Sequence, residues 1–208
     1  MSRFAALPRP LFGLRQHADE RAGPTAVVVR GSARRHAMLA EANGVLGVLP
    51  APGESVHVLM TGRFDLLLVV PLLLDRYGRA EHVRLATLSF NARNLTEIVR
   101  LLDDDRTGRL TLLCSCFFRD HNSELWEEAV EEVRGRGHRL AAGRSHAKVI
   151  TLDFASGHKL VLEGSANLRT NSNREQLALI ADAGLHDWHG QWIDDLVSQH
   201  EGDADGEA

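Results

Sequence analysis

Between residues 55 and 200, short β-type runs alternate with helical patterns, and this alternation restricts the chain to few fold classes. Strands are predicted at 56–60, 82–89, 110–117, 147–153, 159–163 and 176–181. Helices are predicted at 64–77, 94–102, 122–134 and 184–200. Strands interleaved with helices bury their apolar faces by packing the helices onto a central sheet. The predicted fold is therefore an α/β sandwich with a central sheet flanked by helices.

The length of 208 residues fits one ordinary domain with an extension. Residues 1–50 are rich in Pro, Gly, Ala and Arg and are predicted to form an N-terminal arm. Residues 51–200 carry the alternating pattern and are predicted to form the functional domain. The acidic residues 201–208 are predicted to be a disordered tail.

The composition indicates a cytoplasmic protein without integral membrane association. The most apolar stretch, residues 64–74, is too short to span a bilayer and contains Asp65 and Pro71. The N-terminus lacks the long apolar segment of a secretory signal. The two cysteines, Cys114 and Cys116, lie two residues apart in a β-type run and are predicted to be reduced thiols.

A cluster of chemically active residues lies between residues 144 and 182. His146 and Lys148 are two residues apart at the start of a strand, so their side chains project from the same face. Gly164 ends the following strand and is expected to let the backbone turn, so that Ser165 and Asn167 converge on the same place. An imidazole, an ammonium, a hydroxyl and a carboxamide together suit a phosphoryl group, because they combine a nucleophile with hydrogen-bond donors.

This pattern resembles the HxKxxxxD…GSxN signature of the phospholipase D superfamily. The matching residues are His146, Lys148 and Asp153 in the first part and Gly164, Ser165 and Asn167 in the second. The chain has ten residues between the two parts, at positions 154–163, where the usual family pattern has about six. The downstream Glu175 resembles the acidic residue that family members use to hold the nucleophilic histidine.

The resemblance implies a phospholipase D-like α/β sandwich with a mixed sheet and a metal-independent phosphodiesterase without a cofactor. His146 would attack phosphorus to give a phosphohistidine, while Lys148 and Asn167 would hold the non-bridging oxygens. Glu175 would accept from the far ring nitrogen of His146 and fix its tautomer. Ser165 and Asp153 are expected to contribute to the same catalytic site.

Superfamily members obtain a second histidine from a second copy of the motif, whereas this chain has a single HxK. A symmetric homodimer would supply both half-sites, as in the small single-motif endonucleases that the chain resembles. The partner implied by the sequence is therefore a second copy of the chain.

The substrate is suggested by the placement of arginines. The net charge is −4, yet Arg144, Arg169 and Arg174 flank the motif and are expected to bind a polyanion. A further arginine cluster, at 134, 136 and 139, leads into the motif. The leading interpretation is a nuclease acting on DNA or RNA. The alternatives are a phospholipid-directed hydrolase or phosphatidyltransferase, and a non-catalytic nucleic-acid-binding protein with the same fold.

The last helical pattern also contains two histidines and two tryptophans. His186 and His189 form an i, i+3 pair without a carboxylate-rich motif, so no metal site is predicted there. Trp188 and Trp192 recur at helical spacing and are predicted to lie in the core or in an interface.

Overall fold

The structure is a computed structural model that describes residues 30–169 and 173–202, with side chains from residue 33 onward. Most of the predicted N-terminal arm therefore lies outside the described residues, as do residues 203–208 of the predicted acidic tail. The described residues from Gly31 onward form one compact unit.

The described residues contain seven strands and six α-helices. The strands are β1 (Ser55–Met60), β2 (Ala80–Ala86), β3 (Thr107–Ser115), β4 (Arg139–Gly143), β5 (Val149–Phe154), β6 (Lys159–Gly164) and β7 (Glu175–Ile180). The helices are α1 (Arg30–Val45), α2 (Val69–Tyr77), α3 (Ala92–Asp103), α4 (Cys116–His121), α5 (Ser123–Arg134) and α6 (Ala183–His200), and a 3-10 turn at Leu66–Leu68 precedes α2. The six predicted strands and four predicted helices are confirmed, with ends shifted by a few residues.

Three elements were not predicted: α1, α4 and β4. The strand predicted at 110–117 ends early because the hydroxyl of Ser115 accepts a hydrogen bond from the backbone N–H of Phe118 at 3.0 Å and caps α4. The sequence of β4, RLAAG, has no β-branched residue and lacks the usual strand signal. It forms a strand because its backbone pairs with β3 from Thr111↔Arg139 to Ser115↔Gly143.

The strands form one mixed sheet in the order β1-β7-β6-β5-β2-β3-β4. The pairs β1/β7, β7/β6, β6/β5 and β5/β2 are antiparallel, and β2/β3 and β3/β4 are parallel. The predicted fold class, an α/β structure with a mixed central sheet flanked by helices, is confirmed.

The two faces of the sheet are covered unequally. The main hydrophobic core lies on the face that packs against α2, α3 and α5, where Leu85, Leu112 and Ile150 are fully buried. On the opposite face, α6 is the described helix that packs against the sheet, through a smaller cluster that includes Val149, Val161 and Ile193. Farther along the sheet, Ser55, His57 and Leu59 of β1 are exposed.

Helix α1 lies within the segment predicted to be an arm. Ala42 and Leu46 are buried in the main core, and Arg35 donates to Glu97 from Nε at 2.7 Å. The predicted boundary at residue 50 therefore does not separate α1 from the folded unit. The helix escaped prediction because its sequence, RGSARRHAMLAEANGV, places few apolar residues on one face.

The predicted tail also begins inside the folded unit, because Glu201 accepts from Arg139 Nε at 2.8 Å. The apolar stretch at 64–74 forms the 3-10 turn and the first part of α2, whose side chains are mostly buried. Within the described residues, no helix combines the length and the apolar character needed to cross a bilayer.

Candidate active site

The β5–β6 hairpin brings the two parts of the motif together. The turn at residues 155–158 uses Gly157 at φ 86°, a conformation that suits glycine. The register pairs Val149 with Glu163, and the N–H of Gly164 donates to the carbonyl oxygen of Lys148 at 3.3 Å. The loop that carries His146 therefore ends beside the residues that follow β6.

Gly164 is required by a close approach to β7. A Cβ at this position would overlap the carbonyl oxygen of Gln176. The N–H of Ser165 donates to that carbonyl at 3.1 Å, and the N–H of Gln176 donates to the hydroxyl of Ser165 at 3.1 Å. The lack of a side chain at Gly164 thus allows the end of β6 to pack closely against β7. As a result, Ser165 is fixed next to Glu175 at the start of β7.

An open groove of about 620 Å³ lies at this end of the sheet. It is lined by His57, His146, Ala147, Lys148, Val149, Glu163, Gly164, Ser165, Gln176 and Ala178. His146 is exposed and Lys148 is half-buried. The ammonium of Lys148 lies 2.6 Å from Nδ1 of His146 and donates to the His146 carbonyl oxygen at 2.7 Å.

The electrostatics of Lys148 favour anion binding. Partial burial lowers the pKa of this ammonium, and the negative charge of Glu175 opposes that change. A partly dehydrated cation gains more from a phosphoryl oxygen than a fully hydrated one, because less water has to be displaced. The groove therefore contains a cation beside an accessible imidazole.

Glu175 and Ser165 form a hydrogen-bonded pair at the edge of the groove. The hydroxyl of Ser165 donates to Oε2 of Glu175, and the same hydroxyl accepts from the backbone of Gln176. The structure thus brings together four of the predicted residues: His146, Lys148, Ser165 and Glu175.

Asn167 follows Ser165 in a turn anchored by its neighbours. Ala166 and Leu168 are buried, and the N–H of Leu168 donates to the hydroxyl of Thr87 at 3.4 Å. Asn167 is half-buried, and its buried Oδ1 has no hydrogen-bond partner among the described residues. Because the two ends of a carboxamide exchange by a half-turn, this position can also present the Nδ2 donor. The groove lining does not include Asn167.

Asp153 lies at the other end of β5. It pairs in register with His82 and Lys159, four residues beyond Val149, or about 13 Å along the strand. It lines a separate pocket together with Arg84 and residues of α6. The structure therefore does not bring Asp153 to the groove.

No protein-family model matches the chain, and no curated protein matches it significantly in sequence. Among solved structures, the chain is similar to Nuc from Salmonella typhimurium, a phospholipase D family member, with a TM-score of 0.52 and 17% identity over 71% of this chain and 97% of Nuc. NucT from Helicobacter pylori gives a TM-score of 0.50 and 15% identity over 71% of this chain and 99% of NucT.

The chain has the phospholipase D fold. The two matched proteins are covered almost completely, so the similarity spans the whole of those structures and not one supersecondary unit. At 15–17% identity, this similarity establishes the fold alone.

The arginines of this phospholipase D fold have two different placements. Arg144, Arg169 and Arg174 are exposed, and the described groove lining does not include them. The arginines that precede the motif hold structural elements together: Arg134 donates to the carbonyl oxygen of Leu140 at 2.8 Å, and Arg136 pairs with Asp103 at 2.9 Å. The positive charge available at the groove is therefore smaller than the sequence cluster indicates.

Two groove residues, His57 and Glu163, were not predicted. His57 lies on β1 opposite Ala178, and Glu163 lies on β6 opposite the same residue. Glu163 directly precedes the GSAN turn, which could have drawn attention to it. His57 comes from a strand about ninety residues upstream, and only the register places it in the groove.

Helix α6 forms a wall beside Glu163. Oε2 of Glu163 lies 3.1 Å from Nε2 of His189, and Nδ1 of His189 accepts from Trp192 Nε1 at 3.0 Å. Trp192 is half-buried, and Trp188 is 61% exposed. Of the two predicted placements for Trp188, the core is therefore wrong and an interface stays a prediction. Within the described ranges, no group of three or more His, Cys, Asp or Glu side chains is arranged to hold a metal.

Proposed function

We propose that the chain is a metal-independent phosphodiesterase that cleaves DNA or RNA at the groove beside β5, β6 and β7. The observation that carries the proposal is the contact between Lys148 and His146, 2.6 Å from ammonium to Nδ1, at the mouth of an open groove. The phospholipase D fold and the ordered motif support the same chemistry.

In the proposed reaction, a ring nitrogen of His146 attacks phosphorus in line with the leaving oxygen. The P–N bond forms as the P–O bond breaks, and the leaving oxygen takes a proton from a second histidine. That histidine then accepts a proton from water, whose oxygen attacks phosphorus and breaks the P–N bond. Free His146 is restored, and no net electron transfer occurs.

Lys148 and Asn167 are proposed to stabilise the non-bridging oxygens, which gain negative charge in the transition state. Lys148 supplies a full positive charge, and the carboxamide of Asn167 supplies an N–H donor. Arg144, Arg169 and Arg174 are proposed to hold flanking phosphates outside the groove, where they would favour a polyanion over a small diester.

The second histidine is proposed to be His146 of a second copy of the chain. Within one chain, His57 also lines the groove, but β1 is separated from β5 by β7 and β6. Three strand spacings separate the two backbones by about 14 Å, and side chains that stand roughly perpendicular to a sheet do not close that distance toward one another. A two-fold axis near His146 would instead place two equal imidazoles on opposite sides of the phosphate.

Glu175 is proposed to orient a His146 ring when two copies meet. Its carboxylate accepts the hydroxyl of Ser165, and each carboxylate oxygen has the lone pairs to accept more than one hydrogen bond. Ser165 would thus act as a positioning residue, and Asp153 is proposed to support the hairpin from its far end.

The test is cleavage of plasmid and single-stranded DNA or RNA in EDTA by the wild type and by His146→Ala from matched preparations. We expect cleavage by the wild type, loss of it in His146→Ala, and retention of it in the control variant His121→Ala, whose exposed imidazole lies outside the groove lining. Hydrolysis of phospholipid vesicles without nucleic-acid cleavage would instead support a lipid-directed enzyme.

The shared site is tested with mixed dimers of wild-type and His146→Ala chains. Strong loss of activity in the isolated mixed dimer is expected, because each phosphate would meet only one imidazole. Full activity of the mixed dimer, or of a monodisperse monomer, would disprove the shared site.

A further inference from the structure

We propose that Trp188 is a stacking platform for an unpaired nucleobase next to the candidate active site. This inference rests on the proposed function and specifies its substrate further, as a nucleic acid with at least one unstacked base at the cleavage position. It assigns a role to the exposed side of α6, which the proposed chemistry does not use.

Trp188 is joined to the groove by a short series of contacts. Glu163 lines the groove, its Oε2 lies 3.1 Å from Nε2 of His189, and the His189 ring packs edge-on against Trp188 with centroids 4.7 Å apart. His189 is 5% exposed, whereas Trp188 is 61% exposed. The indole therefore packs against a buried histidine that is hydrogen-bonded to a residue of the groove lining.

Packing of α6 does not explain an indole at position 188. The residues that face the sheet are His186, His189, Ile193 and Val197, which recur at spacings of three and four. Trp188 lies off this stripe. Exposure alone does not identify a binding surface, because single exposed apolar side chains are common. Trp188 is distinguished by its contact with His189, which lies 3.1 Å from the groove residue Glu163.

The charges of the groove separate a phosphate position from a base position. Lys148 attracts a phosphoryl group. Glu163, which is held by His189 of α6 and is partly exposed, repels phosphate but does not repel a neutral base. A nucleotide with its phosphate at Lys148 and His146 would therefore direct its base toward Glu163 and Trp188.

Stacking on an indole requires an accessible base face. Bases inside a duplex are covered on both faces by their neighbours, whereas bases of a single strand can stack on a protein aromatic side chain. The proposed ligand is accordingly single-stranded nucleic acid. DNA and RNA share this base chemistry and are compared as separate arms of the test.

The test measures binding in the His146→Ala background, so that cleavage does not interfere. The probes are a short single-stranded oligonucleotide, the same length of abasic strand, and the matching duplex, each as DNA and as RNA where it can be made. Trp188→Ala should weaken binding of the intact single strand about tenfold, the order expected for one lost stacked base. Binding of the abasic strand and of the duplex should change less than about twofold, since neither offers a free base face.

Two variants serve as controls. Trp188→Phe should retain most of the affinity because it keeps an aromatic face. Phe117→Ala removes an equally exposed aromatic side chain, 62% against 61%, from α4 outside the groove lining and should have no effect.

Equal weakening of intact and abasic strands by Trp188→Ala would refute the platform, as would a shift of the variant from dimer to monomer in sedimentation. Absence of binding by every variant would refute it as well. Hydrolysis of bis(p-nitrophenyl) phosphate by the otherwise wild-type enzyme, tested in parallel, reports on the phosphodiesterase chemistry alone. The platform can therefore fail while the proposed function stands.

Discussion

The two ends of the β5–β6 hairpin carry similar side chains in different electrostatic states. The groove end has His146, Lys148 and Glu163. The far end has Asp153, Lys159 and His82, together with His186 and Asp187 from α6. Both ends combine histidine, lysine and carboxylate, and they lie at opposite ends of the same two paired strands.

At the far end the charges neutralise one another. Lys159 pairs with Asp187 at 2.6 Å, and the same carboxylate lies 2.9 Å from Nδ1 of His186. The bond to Lys159, reinforced by that to His186, lowers the pKa of Asp187 and keeps it ionised. At the groove end, no carboxylate among the described residues lies within ion-pairing distance of Lys148; its close partner is the imidazole of His146.

Residue type alone therefore does not distinguish a binding site from a structural ion pair. A lysine matched by a carboxylate has little left to offer a ligand, whereas a partly dehydrated lysine beside an imidazole attracts an anion. The groove end should therefore control activity, and the far end should control stability.

The largest expected effect is the loss of activity on substitution of Lys148 at the groove end, compared with substitution of Asp153 at the far end. Lys148→Ala should lower kcat/KM on the order of 10²- to 10³-fold, because the transition-state charge loses its cation. Asp153→Asn should change it less than about threefold, since its carboxyl lies far from the groove. Steady-state kinetics on one diester substrate decide the matter, and an equal loss in both variants would abolish the distinction between the two ends.

The pH dependence of the rate should report the protonation state of Lys148. Burial lowers the pKa of its ammonium below the ordinary value of 10.5, so the active protonated form is lost at a lower pH than for an exposed lysine. Above that pKa the rate should fall about tenfold per pH unit. Lys148→Arg should be slower at neutral pH but lack this alkaline decline, because guanidinium stays charged. Identical alkaline declines in the two proteins would assign the ionisation to another group.

Ser165→Ala should have a smaller effect, about tenfold on kcat, if the hydroxyl holds Glu175 in place. Because the residue is a positioning residue, Ser165→Thr should restore part of the rate by restoring the hydroxyl. Thermal unfolding of the same variants provides the control. A loss of rate that follows the loss of stability, without rescue by threonine, would indicate a purely structural role.

The smallest effect concerns stability at the far end. Burial lowers the pKa of His82 to about 3, with further lowering by Arg84, so the folded protein holds this ring neutral. The unfolded chain takes up a proton as the pH falls below about 6.5, so stability present at neutral pH is lost progressively toward acid. Between about pH 7.5 and about pH 5.5 the wild type should lose about 1 kcal/mol more than His82→Gln.

Urea unfolding at the two pH values measures this difference, and the activity of His82→Gln at neutral pH should stay close to that of the wild type. Equal pH dependence in the two proteins would show that His82 is accessible to protons in the folded state.

The secondary-structure elements that make up the sheet and their order along the chain could be predicted from the sequence. Alternating patterns predicted the strands and helices that make the sheet, because hydrophobic periodicity depends on neighbouring residues. The same is true of the hairpin and of the order from His146 to Asn167. Elements with weak periodicity, such as α1 and β4, were missed because packing by distant residues stabilises them.

Only the tertiary structure decided which charges are available. Strand register places Glu163 and His57 in the groove and carries Asp153 to the far end, although Asp153 is closer in sequence to His146 than either of them. Contacts with distant elements occupy Arg134 and Arg136, and the angle of α6 leaves Trp188 exposed. The sequence determines what each side chain can do locally, but the partner that neutralises or frees it comes from a distant part of the chain.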